Sequence, residues 1–167
     1  MDNGPIRSSF VLFYDAVEYQ GKMLKAEFLV NLDAGSNLNE VRVRYTGDTT
    51  HIRLAAGIFL HDTIQSLHVN QDLSTIGYAE NLMSEGKNPV PAGRGYTGVV
   101  FPGSWKESKK LSKHMVGIVN YKVGEEFMYY FGGGWNKHGF ATDKDWFNYL
   151  NNKKAALLQP LKIKILK

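Results

Sequence analysis

Cysteine is absent from this chain of 167 residues. That excludes disulfides and a thiol nucleophile, and it removes the thiolate ligands of most structural zinc sites. No apolar run approaches the roughly 18 residues of a membrane span, so no span is expected. Charge of one sign is scarce too: 20 basic against 16 acidic side chains leave a net charge of +4. No stretch interleaves basic and stacking residues as nucleic-acid readers do, and no nucleic-acid partner is expected. Nucleotide signatures are missing; Arg94-Gly95-Tyr96-Thr97-Gly98 opens a strand instead of a helix. The histidines, His51, His61, His68, His114 and His138, show no two-histidine helical spacing. Neither a metal nor a cofactor is therefore expected. The start, Met1-Asp2-Asn3-Gly4-Pro5, lacks the basic and apolar stretches of a signal peptide.

What is present reads as globular: 43% hydrophobic, 13% aromatic and 22% charged residues. The length suits one domain that buries roughly two-thirds of its unfolded surface. Period-two patterns dominate. Residues 10–14 are apolar on both faces, as a central strand covered on both sides would be. Gln20-Gly21-Lys22 turns the chain into a second strand over 23–32, and Asp33-Ala34-Gly35-Ser36-Asn37 turns it again. Over 38–46, Val41, Val43 and Tyr45 share one face and Arg42 and Arg44 the other. With a further strand over 52–60, the first sixty residues predict an antiparallel meander.

Strands follow over 75–79 and 96–101, separated by a long connection, 81–94, that carries Gly86, Pro89, Pro91 and Gly93. Segments 115–122 and 127–131 predict another pair turned at Gly124-Glu125. Thr142 can cap a helix that Pro160 stops, with Asp143 and Asp145 set against its dipole. A last strand is expected over 161–166. Its lysines, with Lys153 and Lys154, carry much of the positive surplus. Lys106, Lys109, Lys110 and Lys113 read as a solvated loop. The expected fold class is mainly β, an antiparallel β-sandwich with one short C-terminal helix.

The chemistry concentrates in Tyr129-Tyr130-Phe131-Gly132-Gly133-Gly134-Trp135-Asn136-Lys137-His138-Gly139. Three glycines in a strand are costly unless the backbone bends or something approaches closely. The aromatic, amide, amine and imidazole beside them can grip a sugar, with Trp135 stacking on C–H faces. Equally, Trp135 can belong to the core of a twisted strand end. His114 opens an apolar strand and has the chemistry for general acid or base work, and His61-Asp62 is a second option. Tyr96, Tyr121 and Tyr130 can donate protons, or simply pack.

Several blocks together resemble a known family. They are Gly4-Pro5-Ile6-Arg7, Asn31-Leu32-Asp33-Ala34-Gly35-Ser36-Asn37-Leu38 and Tyr45-Thr46-Gly47. Then come Leu54-Ala55-Ala56-Gly57-Ile58, Gly98-Val99-Val100-Phe101-Pro102 and Tyr130-Phe131-Gly132-Gly133-Gly134-Trp135-Asn136-Lys137. The last is Asp145-Trp146-Phe147-Asn148-Tyr149-Leu150. In order and spacing these are similar to the domain-of-unknown-function family of bacterial polysaccharide-utilisation loci that includes the ulvan oligosaccharide dehydratase. The resemblance implies a β-sandwich of the galactose-mutarotase-like supersandwich type, secreted or periplasmic, that handles uronate-containing oligosaccharides. Family members are longer, and this chain resembles their C-terminal half. Residues 1–167 are thus expected to form a single sandwich domain or the C-terminal portion of a larger one.

These readings converge on dehydratase-like elimination from an anionic oligosaccharide. His114 would be base or acid, with Tyr130 or Tyr96 as its partner. Arg94 or Lys137 would hold the carboxylate, with Trp135 and Asn136 completing the sugar contacts. The alternative is a non-catalytic sugar-binding or interaction module that forms a homo-oligomer through an exposed sheet edge.

Overall fold

Side chains alternate between the two faces of a strand, and that alternation sorts this chain into three layers. A computed structural model describes residues 3–61 and 66–161. Its strands are β1 (Arg7–Tyr19), β2 (Lys22–Asp33), β3 (Leu38–Gly47), β4 (His51–Phe59) and β5 (Ser66–Asn70). They continue with β6 (Thr75–Met83), β7 (Pro91–Val100), β8 (Glu107–Leu111), β9 (His114–Lys122) and β10 (Phe127–Trp135), ahead of helix α1 (Asp143–Leu158). A large sheet has the order β1-β2-β3-β10-β7-β6-β5, and a small one the order β4-β9-β8. The antiparallel β-sandwich with one C-terminal helix is therefore what the chain builds.

One face of the large sheet packs on the small sheet through Ile58, Leu60, Ile76, Tyr78, Val99, Phe101, Trp105 and Met115. The opposite face packs on α1 through Leu38, Tyr96, Val100, Tyr130, Trp146 and Leu150. Along β10, Phe127 and Tyr129 accordingly join the inter-sheet layer, while Met128 and Tyr130 join the helix layer. Residues 146, 150 and 154 form the buried stripe of α1, at the i, i+4, i+8 spacing of a helix face. Thr142 and Asp145 close a capping box at its start. Burying Leu150 is worth about 2 kcal/mol.

Several sequence expectations need correction. The meander ends at β3; β4 leaves it and pairs with β9 in the small sheet. β1 is an edge strand, and Phe10, Leu12, Phe13 and Tyr14 are exposed. Apolar residues on both faces mimic a central strand because alternation reports faces and not neighbours. β9 and β10 do not pair: the turn at Gly124-Glu125 passes from one sheet to the other. The long connection shrinks to residues 84–90, because β6 and β7 extend as one hairpin with Ser84 N donating to Val90 O. Of the lysine cluster, Lys109 and Lys110 lie in an edge strand, β8, while Lys106 and Lys113 stand in the bend and turn that flank it. Lys154 is buried, donating to the carbonyls of Phe101, Pro102 and Gly103 at 2.7–2.9 Å. β5 carried no turn or pattern signal strong enough to read. Of the expected last strand, residues 162–166 lie outside the described residues, as does Asp62.

Candidate functional site

The small sheet is narrower than the large one, and β4 is one of its two edges. Along that edge the two sheets part into a cleft of about 550 Å³. Tyr78, Thr97, Val99 and Tyr129 line the large-sheet side, with Ala56, Ile58 and Phe59 on the β4 side and Phe131 at the rim. At one end His61 Nδ1 lies 2.5 Å from Glu80 Oε2, and the Tyr78 hydroxyl donates to the same oxygen at 3.4 Å. The edge of the Phe59 ring meets His61 at 5.2 Å.

Beyond the cleft β10 runs into a shallow groove lined by Asn37, Tyr96, Gly133, Gly134, Trp135, Lys137 and His138. Alternation puts Tyr129, Phe131, Gly133 and Trp135 on one side of β10. Phe131 and Trp135 are each 40% exposed, so Trp135 does not sit in the core. Its indole nitrogen donates to Ala92 O at 3.0 Å, which fixes the ring plane. The Lys137 ammonium stands 5.1 Å from the ring centre. The glycine run has the reason expected of it, close approach. A Cβ on Gly132 would fall 2.0 Å from Asn37 O, and one on Gly134 2.7 Å from the Phe140 ring.

The fold separates the remaining candidates. Tyr96 stacks on Trp146 under α1. Tyr130, on the same face, donates to Glu40 Oε2 at 2.9 Å with Lys153 over its ring. Both tyrosines turn away from the inter-sheet cleft. His114 packs edge-to-face with Phe59, ring centres 5.3 Å apart, and does not itself line the cleft. A His114–Tyr130 or His114–Tyr96 pair is thus not assembled, because the large sheet stands between them. Arg94 is committed to the protein itself: Nε and Nη2 donate to the Asp143 carboxylate at 2.7 and 2.6 Å, and Nη1 to Asn81. That pairing holds the Asp143 carboxyl below its usual range. Asn136 Oδ1 accepts from Arg94 N at 2.8 Å, so its carbonyl supports the hairpin end.

Burial pushes the Glu40 carboxyl up, yet hydrogen bonds from Arg42, Tyr130 and Asn31 outweigh that and leave it lowered. This network closes on itself under β2, β3 and β10. Among the described residues no group of three or more acidic or histidine side chains is arranged to hold a metal ion. No described helix is long and apolar enough to cross a membrane. Glu80, Tyr78, Phe59 and Phe131 were missed by sequence reasoning. Phe59 stands two residues before His61 in sequence, whereas only the packing of two sheets brings Tyr78, Glu80 and Phe131 to the same cleft.

Comparison with known proteins agrees with this architecture. The chain is 28% identical over 167 residues to "Uncharacterized protein P7" of Formosa agariphila, a match that takes in 97% of this chain and 40% of that protein. The chain thus spans well under half of the length of that curated relative. In structure it is similar to a chain titled "Putative kojibiose phosphorylase from human microbiome", with a TM-score of 0.58 and 9% identity over 90% of this chain and 22% of that one. That likeness is one of fold. A family model matches residues 1–163, and the chain belongs to that family, described as a domain of unknown function, DUF4861.

Proposed function

We propose that the protein acts on uronate-bearing oligosaccharides, which lie along β10 from the Trp135 groove into the inter-sheet cleft and lose water there. The stripe of Tyr129, Phe131 and Trp135 supports this reading. Two half-exposed aromatic rings four residues apart leave a bare glycine between them, and four strand residues span about 13 Å. That is room for an extended sugar chain stacking its C–H faces. Lys137 beside Trp135 is the cation a uronate would meet, whereas Arg94 would first have to leave Asp143. The fold is one shared with a chain titled as a sugar phosphorylase. His114 helps set the cleft mouth through Phe59. The chain works as the C-terminal portion of a longer protein, in the periplasm or secreted, where polysaccharide fragments are met.

Trp135→Ala is expected to weaken binding about tenfold, the loss of roughly 1.4 kcal/mol. Calorimetry with saturated and lyase-generated unsaturated uronate oligosaccharides measures it; unchanged affinity refutes the track. In mass spectra, turnover removes one water, about 18 Da, from each substrate molecule.

A second reading rests on a separate observation, the uncovered edge of β1 with Phe10, Leu12, Phe13 and Tyr14. In it the protein is a non-catalytic sugar-binding module that pairs through this edge into a homo-oligomer. Sugar binding with no change of substrate mass favours that reading.

A further inference from the structure

We propose that His61 is the proton-transfer residue of the cleft, with Glu80 as the residue that positions it. The assignment rests on the reading that the cleft takes a uronate-bearing oligosaccharide. It starts from where the chain anchors. Leu60 is 1% exposed, and its N–H donates to Lys113 O at 2.6 Å. That fixes the backbone one residue before His61, which follows β4 and whose imidazole reaches Glu80 on β6 of the large sheet. There Glu80 and Tyr78 stand two residues apart on β6, hence on the same face.

An ionised carboxylate only accepts hydrogen bonds. Paired with an ionised Glu80, His61 donates from Nδ1, and in the neutral ring of that tautomer Nε2 is the bare nitrogen. A carboxylate that holds an imidazole in one tautomer, with the other nitrogen facing the reactants, is a general way to make a base from histidine. Exposure grades along the chain of contacts. Tyr78 is 1% exposed, the Glu80 side chain 19% and the His61 side chain 63%. The support is inside the protein and the ring is open to the cleft. Ordinary surface pairs here look different: Lys122–Glu125 is 62% and 60% exposed at its two ends. Phe59, edge-on at 5.2 Å, walls the ring on the β4 side.

The step balances without a co-reactant. At a saturated terminal uronate, Nε2 takes the proton from the carbon next to the carboxylate, and that C–H electron pair becomes the new C=C bond. The C–O bond to the neighbouring hydroxyl breaks, and its oxygen takes a proton back from the imidazolium and leaves as water. The enzyme ends in its starting protonation state.

The test uses wild type, His61→Gln, Glu80→Ala and, as a control away from the cleft, His51→Gln. Each is incubated with the uronate oligosaccharide mixture and followed by mass spectrometry and calorimetry. His61→Gln is expected to lower kcat at least a hundredfold and to keep affinity within threefold. His51→Gln is expected to match wild type. Long-range ¹H–¹⁵N correlation is expected to show Nδ1 of His61 protonated in wild type, and a mixture of tautomers in Glu80→Ala. Turnover that survives His61→Gln within twofold overturns the assignment, as does a wild-type ring protonated on Nε2. Binding without water loss overturns it too, while leaving the sugar reading standing. Failure to bind any member of the mixture overturns both.

Discussion

Burial and the hydrogen bond to Glu40 push the Tyr130 phenol up to about 12. At neutral pH it is a neutral donor on the helix side of the sheet, and so it supports Glu40 rather than taking protons from a substrate. The raised value also sets a stability window. Unfolded tyrosine ionises near 10, so the contribution of the neutral phenol is complete below that pH. It is lost as pH rises from about 10 to about 12. Alkaline titration by phenolate absorbance is expected to lose one tyrosine from its highest step in Tyr130→Phe. An unchanged profile in that variant would remove the basis for this picture. At the same scale, Trp135 was legible from its neighbours in sequence, since a ring beside three glycines and a lysine is locally visible. His61 was legible only as an option, because its partner Glu80 lies 19 residues away.

At the scale of elements, α1 is docked at its first turn by Arg94 from β7 and at its fourth by Lys154. The Arg94–Asp143 pair is less than a third exposed at either end, and its hydrogen bond holds the Asp143 carboxyl below 3.8. A lowered acid contributes stability above its unfolded value and loses it as pH falls through the folded one. Docking of α1 should therefore weaken as pH drops below about 4. Asp143→Asn is expected to cost about 1–3 kcal/mol at neutral pH. It should also flatten the loss of stability below pH 4. Urea unfolding by circular dichroism at stepped pH measures both; parallel curves for the two proteins would contradict the docking role. The helix itself was readable, because Thr142, Asp145 and Pro160 act within one turn of it. The length of β6 and β7 was not, because Pro89 and Pro91 advertise a loop that cross-strand pairing shortens.

At the scale of the molecule, the edges differ in how they are protected. β8 places Lys109 and Lys110 on its exposed edge, and such charges discourage strand addition. β1 carries no charge between Ser8 and Tyr14 and exposes Phe13 by 70%. Self-association through β1 is therefore expected to rise with concentration, read by light scattering after gel filtration. Phe13→Lys should return the protein to monomer with stability within about 0.5 kcal/mol of wild type, as for other exposed positions. A wild-type protein that stays monomeric at every concentration argues against the edge as an interface.

The sequence by itself determined the fold class, most strand positions, the helix and its cap, and the aromatic–glycine stretch of β10. Each of these depends on periodicity, turn chemistry or capping within about ten residues. Tertiary structure alone decided that β4 and β9 form a separate sheet, that β1 is an edge, and that Tyr96 and Tyr130 turn away from the cleft. It also decided that His61 meets Glu80. Alternation tells which residues share a face, but strand partners are chosen by long-range hydrogen bonding and packing, whose cost and reward no local pattern records.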